Sequence, residues 1–372
     1  MKDALRLLVR VAAALLLTSA LAVPAFAQVT PAAGATPPDD TPSARVGVTI
    51  YTDYTYIDEP TVKDADGNVV HSNAFNVSRA YVNVTGNLSH WVSYRVTPDV
   101  TRESGTGSTL SGSLTFRLKY AFGQVNFDDF LTHGSWVRLG VQQTPYLDFM
   151  EGIYRYRFQG TMFPEREGFI TSSDFGLSGH YNLPGNYGDL HAGVYNGDGY
   201  SRAEPNDQKA FQFRASLRPL PLGGVWKGLR LHAFYDADKY IKHGPRNRFV
   251  ATATFEHPRL NAAFDYLDVK DRTAITSPEV RGNGWAVWAV PRFLTVGESK
   301  PGLEGLFRYD SMRPNKNADA RRHRLIVGLA YWFPFLRGPS AALLADMDRA
   351  TFDTALNRPT DRRYSLHALF AF

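Results

Sequence analysis

The stretch Gly112-Ser113-Leu114-Thr115-Phe116-Arg117-Leu118-Lys119-Tyr120-Ala121-Phe122 decides the architecture of this chain. Leu114, Phe116, Leu118, Tyr120 and Phe122 share one face, and Thr115, Arg117, Lys119 and Ala121 share the other. A period of two marks a β-strand with one greasy and one polar side, because successive side chains of an extended chain point to opposite faces. The pattern recurs. Phe211, Phe213, Ala215 and Leu217 oppose Gln212, Arg214, Ser216 and Arg218. Leu229, Leu231, Ala233 and Tyr235 oppose Arg230, His232, Phe234 and Asp236. Leu303, Phe307 and Tyr309 oppose Glu304, Arg308 and Asp310, and Leu325, Val327, Leu329, Tyr331 and Phe333 form another apolar face. No long segment carries a 3.6-residue period.

Roughly sixteen such segments are expected, at 44–57, 75–88, 91–104, 111–126, 135–143, 174–183, 189–198, 209–218, 228–239, 248–256, 260–271, 283–293, 302–311, 321–333, 340–351 and 361–372. Connections after odd-numbered strands tend to be long, as at 58–74, 144–173, 199–208 and 272–282. Those after even-numbered strands are often tight, as at Ser89-His90, 184–188 and His257-Pro258-Arg259. Long loops at one end and short turns at the other are the habit of a transmembrane antiparallel β-barrel. The last segment, with Tyr364, Leu366, Ala368, Phe370 and Phe372 on one face, resembles the assembly signal of bacterial outer-membrane barrels. Such a strand is expected to pair with the first, since lipid offers no partner to open backbone groups. A soluble sandwich or propeller would share the alternation. It would lack aromatics near strand ends, and a propeller would show a blade repeat of about 40–50 residues.

Composition agrees. The 372 residues are 44% hydrophobic and 21% charged, with no cysteine and 49 aromatics, of which 24 are Phe and 19 Tyr. A mean hydropathy of −0.28 is too polar for a bundle of membrane helices. The absence of cysteine excludes a disulfide scaffold, a thiolate metal site and a thiol nucleophile. Residues 1–27 read as a secretory signal: Lys2, Arg6 and Arg10, then an apolar Val11–Val23, then Ala25-Phe26-Ala27 as a cleavage site. Without them the chain keeps 38 Lys+Arg against 35 Asp+Glu, a net charge near +3 that implies no nucleic-acid partner. Residues 28–43, rich in Pro, Ala and Thr, read as a flexible periplasmic lead-in, so the barrel is expected over 44–372.

With the apolar faces toward outer-membrane lipid, the charged faces must line the lumen, because Arg or Lys at the lipid midplane costs about 2–4 kcal/mol. The strands then offer fourteen inward cations against ten inward acids. Arg79, Arg95, Arg117, Lys119, Arg138, Arg214 and Arg308 lie near mid-strand and are the candidates for a selective zone. A cationic excess in a low-dielectric tube favours anions, whereas pairing with lumen acids would only stiffen the wall. The longest connection, 144–173 after the fifth strand, is rich in aromatics and Met. It is expected to fold into the barrel, burying apolar area and narrowing the lumen, with Arg155, Arg157 and Arg166 at the constriction and Asp148, Glu151, Glu165 and Glu167 offsetting them.

Three segments carry a family likeness. FNVSRAYVNVTGNL (75–88), the nearby WVSYRV (91–96), and WVRLGVQQTPY (136–146) opening the long loop resemble the phosphate-selective porin O and P family. The resemblance implies a sixteen-stranded, trimeric, anion-conducting barrel with basic residues along its pore. No motif carries any individual position over, and the many inward acids set phosphate specificity apart from general anion passage.

Rival functions leave weaker traces. A sugar-conducting or non-selective porin would use the aromatic loop as a stacking track. A barrel hydrolase would need an organised base and nucleophile, and Ser365 and His367, two apart on an inward face, do not supply one. A structural barrel would be plugged. DADGN at 64–68 lacks the rest of a calcium loop, GTGSTLSG at 105–112 lacks the Lys-Ser/Thr of a phosphate loop, and no His pair has zinc spacing. The sequence therefore calls for no metal or cofactor, and its expected partners are outer-membrane lipid, small polar or anionic solutes and copies of itself.

Overall fold

The computed structural model describes residues 40–296, 300–318, 320–334 and 340–372. The export signal read at 1–27 and the lead-in up to 39 lie outside the described residues. The barrel strands are β1 (Ser43–Glu59), β2 (Asn73–Asn87), β3 (Val92–Arg102), β4 (Leu114–Asn126), β5 (Trp136–Gln143), β6 (Ser173–Leu183), β7 (Gly188–Tyr195) and β8 (Ala210–Leu217). They continue as β9 (Leu229–Ile241), β10 (Gly244–His257), β11 (Leu260–Asp271), β12 (Val280–Val296), β13 (Lys300–Arg313), β14 (Arg322–Trp332), β15 (Ser340–Phe352) and β16 (Asp361–Ala371). Each pairs antiparallel with its chain neighbours, and β16 returns to β1, so the sixteen strands close into a barrel. Closure is in register, with Ile50 opposite Phe370 and Tyr54 opposite Leu366. Val48 and Phe372 extend it by exchanging backbone bonds of 2.9 and 3.0 Å. The closed barrel with long and short connections is the outer-membrane architecture expected from the alternation.

The connection between β9 and β10 departs from that alternation. The polar run around Lys242-His243 reads as a loop, yet β9 and β10 run on to leave only those two residues between them. Arg246 pairs with Asp238 on the facing strand and reaches Asp198 at 3.0 Å, so charged side chains support the hairpin at its rim.

The outward face carries the exposed apolar residues: Phe116, Leu139, Leu177, Leu231, Phe307 and Leu366 are all exposed. Rings cluster toward its ends. Tyr54 packs on Phe75, and Trp285 on Tyr309, at centroid distances of 4.8 and 5.4 Å, while Tyr331 and Phe333 meet at 5.2 Å. This belt matches a hydrocarbon slab with aromatic rims.

A bulge corrects the face assignment of the opening stretch. Thr97 pairs with Tyr120 but Pro98 pairs with Leu118, leaving Lys119 as an extra residue. Pro98 has no N–H to give the ladder, and a bulge is where a sheet tolerates that. Beyond Lys119 the parity inverts. Leu118 is exposed outward as expected, but Tyr120 and Phe122, read as lipid-facing, are 5% and 7% exposed and point inward. A second bulge at Ser78, between Val77 opposite Thr52 and Arg79 opposite Tyr51, turns Arg79 inward while Val77 stays outside.

The inner wall is not uniform. From β9 to β15 the inward positions include Phe234, Val250, Leu267, Trp288, Leu306, Ile326 and Leu344, each at most 2% exposed. They form one cluster with Tyr146, Leu147, Met150, Ile153, Tyr154, Tyr156 and Phe158, all from the long connection. This segment includes two helices, α1 (Leu147–Tyr154) and α2 (Phe163–Arg166).

Candidate channel constriction

β5 ends at Gln143, and the chain leaves the wall there, returning at Ser173. What it meets are inward side chains of other strands. The Tyr146 hydroxyl bonds Thr252 at 2.7 Å and donates to Asp265 at 3.0 Å. The Tyr156 hydroxyl donates to Glu304 at 2.6 Å, and Arg155 reaches the same carboxylate at 2.7 Å. Backbone oxygens of Pro145, Thr161 and Phe169 accept from Arg214, Arg308 and Arg248 at 2.6, 2.8 and 3.0 Å. Glu167 pairs with Arg322. The segment is thus fastened from β8 to β14, against the apolar arc. α1 ends at Arg155, whose left-handed backbone (φ 57) terminates the helix beside Glu304.

The three loop cations are all engaged. Arg155 shares Glu304 with Arg292, which lies 2.8 Å from it. Arg157 sits between Glu151 at 2.7 Å and Glu165 at 3.3 Å. Arg166 bonds Gln159 at 3.1 Å and lies 3.9 Å from Asp348. They tie the loop together and to the wall. Five of the loop rings are likewise occupied: Tyr146, Tyr154, Tyr156, Phe158 and Phe163 are at most 3% exposed, while Phe149 and Phe169 are only partly buried.

The seven wall cations divide into two groups. Arg79 and Arg117 both face Asp99, at 4.0 and 3.4 Å. Arg214 pairs with Asp189, and Arg308 chelates Asp310 at 2.6 and 2.8 Å. The others have neutral company. Arg95 donates to Asn83 at 2.8 Å and Thr97 at 3.0 Å and lies over the Tyr120 ring at 4.5 Å. Lys119 donates to the Tyr81 hydroxyl at 3.3 Å, above the Tyr81 ring. Arg138 donates to Gln124 at 2.6 Å and Gln143 at 3.1 Å, wedged over Trp136 at 3.6 Å and Phe122 at 4.7 Å. Among the described residues none of these three has a carboxylate within ion-pair distance. They lie on β3, β4 and β5, so the bulge at Lys119 and the inverted Tyr120 and Phe122 build this patch.

α1 supplies the opposing carboxylates. Burial pushes the Asp148 carboxyl up, and Arg95, Arg138, Lys119 and Arg214 pull it back down. The four cations therefore act through the field on one half-buried acid of the loop. Glu151, one turn on, is also raised by burial and is drawn down chiefly by Arg157. The wall here thus presents basic side chains and aromatic edges, and the helix presents carboxyl groups.

Sequence reading missed the anchoring role of Glu304 and the rings of Tyr81, Tyr120 and Phe149 beside the cations. Pro98 inside a strand was the available signal for the bulge, whereas nothing local marks Glu304 as an anchor for a loop some 150 residues away.

No family model matches the chain, and no curated protein matches it. Solved structures do. A loop L8 deletion mutant of OmpT, an outer membrane protein of Vibrio cholerae, superposes with a TM-score of 0.59 at 13% identity, covering 90% of this chain and 100% of that one. The trimer form of in-vitro folded Vibrio cholerae OmpT gives 0.56 at 12%, covering 90% and 100%. The outer membrane channel DcaP of Acinetobacter baumannii gives 0.52 at 13%, covering 89% and 97%. At such identities the likeness is one of fold: a bacterial outer-membrane barrel.

Proposed function

We propose that this barrel is a porin through which small hydrophilic solutes cross the outer membrane down their gradients, with a preference for anions. The observation that carries the preference is the trio Arg95, Lys119 and Arg138 facing the loop, none with a carboxylate within ion-pair distance among the described residues. A cation held among neutral donors and rings keeps its field for a passing solute, whereas one chelated like Arg308 does not. Phosphate-like anions belong to this class, as the resemblance to the phosphate-selective porins O and P implies. Residues 144–172 act as the constriction, and Arg155, Arg157 and Arg166 serve it by holding its shape. Passage involves no covalent step and no cofactor. The channel DcaP and the trimeric form of OmpT share the fold, which supports a conducting homotrimer in lipid.

The test is the reversal potential of the purified protein in a planar bilayer across a potassium chloride gradient. A potential toward the chloride equilibrium value supports the reading. A potential of opposite sign overturns the anion preference, and a silent bilayer overturns the channel.

A further inference from the structure

Toward the long-loop end, the lumen holds a cavity of about 650 Å³ whose walls include β1, β2, β3, β15, β16 and residues 157–161. Most charged groups on it are already satisfied. Asp348 is bonded by Arg324 at 2.7 Å, Arg363 by Asp361 at 2.6 Å, and Asp53 accepts from Thr55 and Asn76 at 2.9 and 3.0 Å.

Asp346 is different. Its side chain is 1% exposed, and its nearest ionisable neighbour is His367, with Nε2 3.3 Å from Oδ2. Neither Asp346 oxygen and neither His367 nitrogen makes a hydrogen bond. The register brings a third group to the same place: Asp53 lies directly opposite His367 across β1 and β16, and Asp346 opposite Ser365 across β15 and β16. Residues opposed in this way share a face, with Cβ atoms about 4.5–5.5 Å apart. Two carboxylates and an imidazole thus converge on the cavity wall from three adjacent strands.

A buried carboxylate with no donor is costly unless a donor arrives with a ligand. A primary ammonium brings three donors on one positive atom, matching two carboxylates and a ring nitrogen of His367. Arg79, only loosely held at 4.0 Å from Asp99, also lines the cavity and suits an anionic end. The volume falls within the range of about 300–1,000 Å³ usual for small-molecule sites. We propose that Asp346, with Asp53 and His367, binds the ammonium end of small amino-carboxylate zwitterions on their way to the constriction. This inference rests on the channel reading above.

The experiment is block of single-channel current by β-alanine in the wild-type protein, in Asp346→Asn and in Asp53→Asn, with propionate as the acid lacking an ammonium. Saturable block by β-alanine is expected, weakened about tenfold in Asp346→Asn and less in Asp53→Asn. Any propionate block should be the same in all three. A conducting wild type that β-alanine does not block overturns the site. So does block that both variants leave unchanged, or a propionate block as strong as that of β-alanine. Should Asp346→Asn fail to insert as a folded barrel, Asp53→Asn and calorimetric titration of β-alanine into detergent-solubilised wild type decide. A silent wild-type bilayer condemns the channel reading instead.

Discussion

Two arcs of one barrel solve opposite problems. From β9 to β15 the inner wall is apolar on both sides of the backbone at places: Trp288 and Ala286 point in where Trp285 and Val287 point out. This arc hides its inner face under residues 144–172 and behaves as a protein core. From β1 to β5 the inner wall keeps polar and cationic groups, and the partners of Arg95, Lys119 and Arg138 there are amides, hydroxyls and rings. The contrast teaches that periodicity alone does not assign a lumen: an inward position can belong to a core if a loop is there to cover it.

Removing the cover is the harshest test. Deleting 150–165 should raise single-channel conductance several-fold, because the lumen loses its obstruction, and an unchanged conductance would break the comparison. Next comes the anchor. Glu304→Ala strips the acceptor from Arg155, Arg292 and Tyr156 together, and breaking such a buried set costs about 3–5 kcal/mol. A matching fall in thermal unfolding temperature is expected, with noisier open-channel current. Trp288→Ala, a cavity under the loop, should cost a similar 3–5 kcal/mol, roughly, without moving the reversal potential. Lys119→Met inverts that profile: stability should change little, while the reversal potential shifts toward that of cations. If Trp288→Ala moved selectivity and Lys119→Met did not, the two arcs would have been assigned backwards.

The smallest effect lies at the β2–β3 turn. His90 bonds Asp40 at 2.6 Å through Nδ1 and Asp129 at 3.1 Å through Nε2. The Asp40 hydrogen bond, then Asp129, raises its pKa above the ordinary value. A group whose folded value is raised stabilises fully below its unfolded value, near about 6.5, and that contribution is lost as pH climbs through the folded value. Unfolding temperature should therefore decline slightly from pH 5 to pH 9, and His90→Gln should flatten the decline.

The segments carrying the clean alternation were legible because each strand buries one face in lipid, so local chemistry repeats global geometry. The inward cations were legible for the same reason, since lipid admits no alternative. What escaped reading is non-local. Lys119 as a bulge depends on Pro98 across the ladder, and the parity of Tyr120 and Phe122 follows from it. The polar hairpin around Lys242 resembled a loop because rim strands rise out of hydrocarbon and need no apolar face. Asp346 read as one lumen acid among ten, and its lack of hydrogen bonds appears only when β15, β16 and β1 stand side by side.

A tube filled from one flank has a crescent for its open cross-section. At equal volume, a flat molecule threads a crescent more readily than a round one does. In the proposed channel, sieving should then depend on a solute's thinnest dimension more than on its mass, a property set by the wall from which the plug hangs.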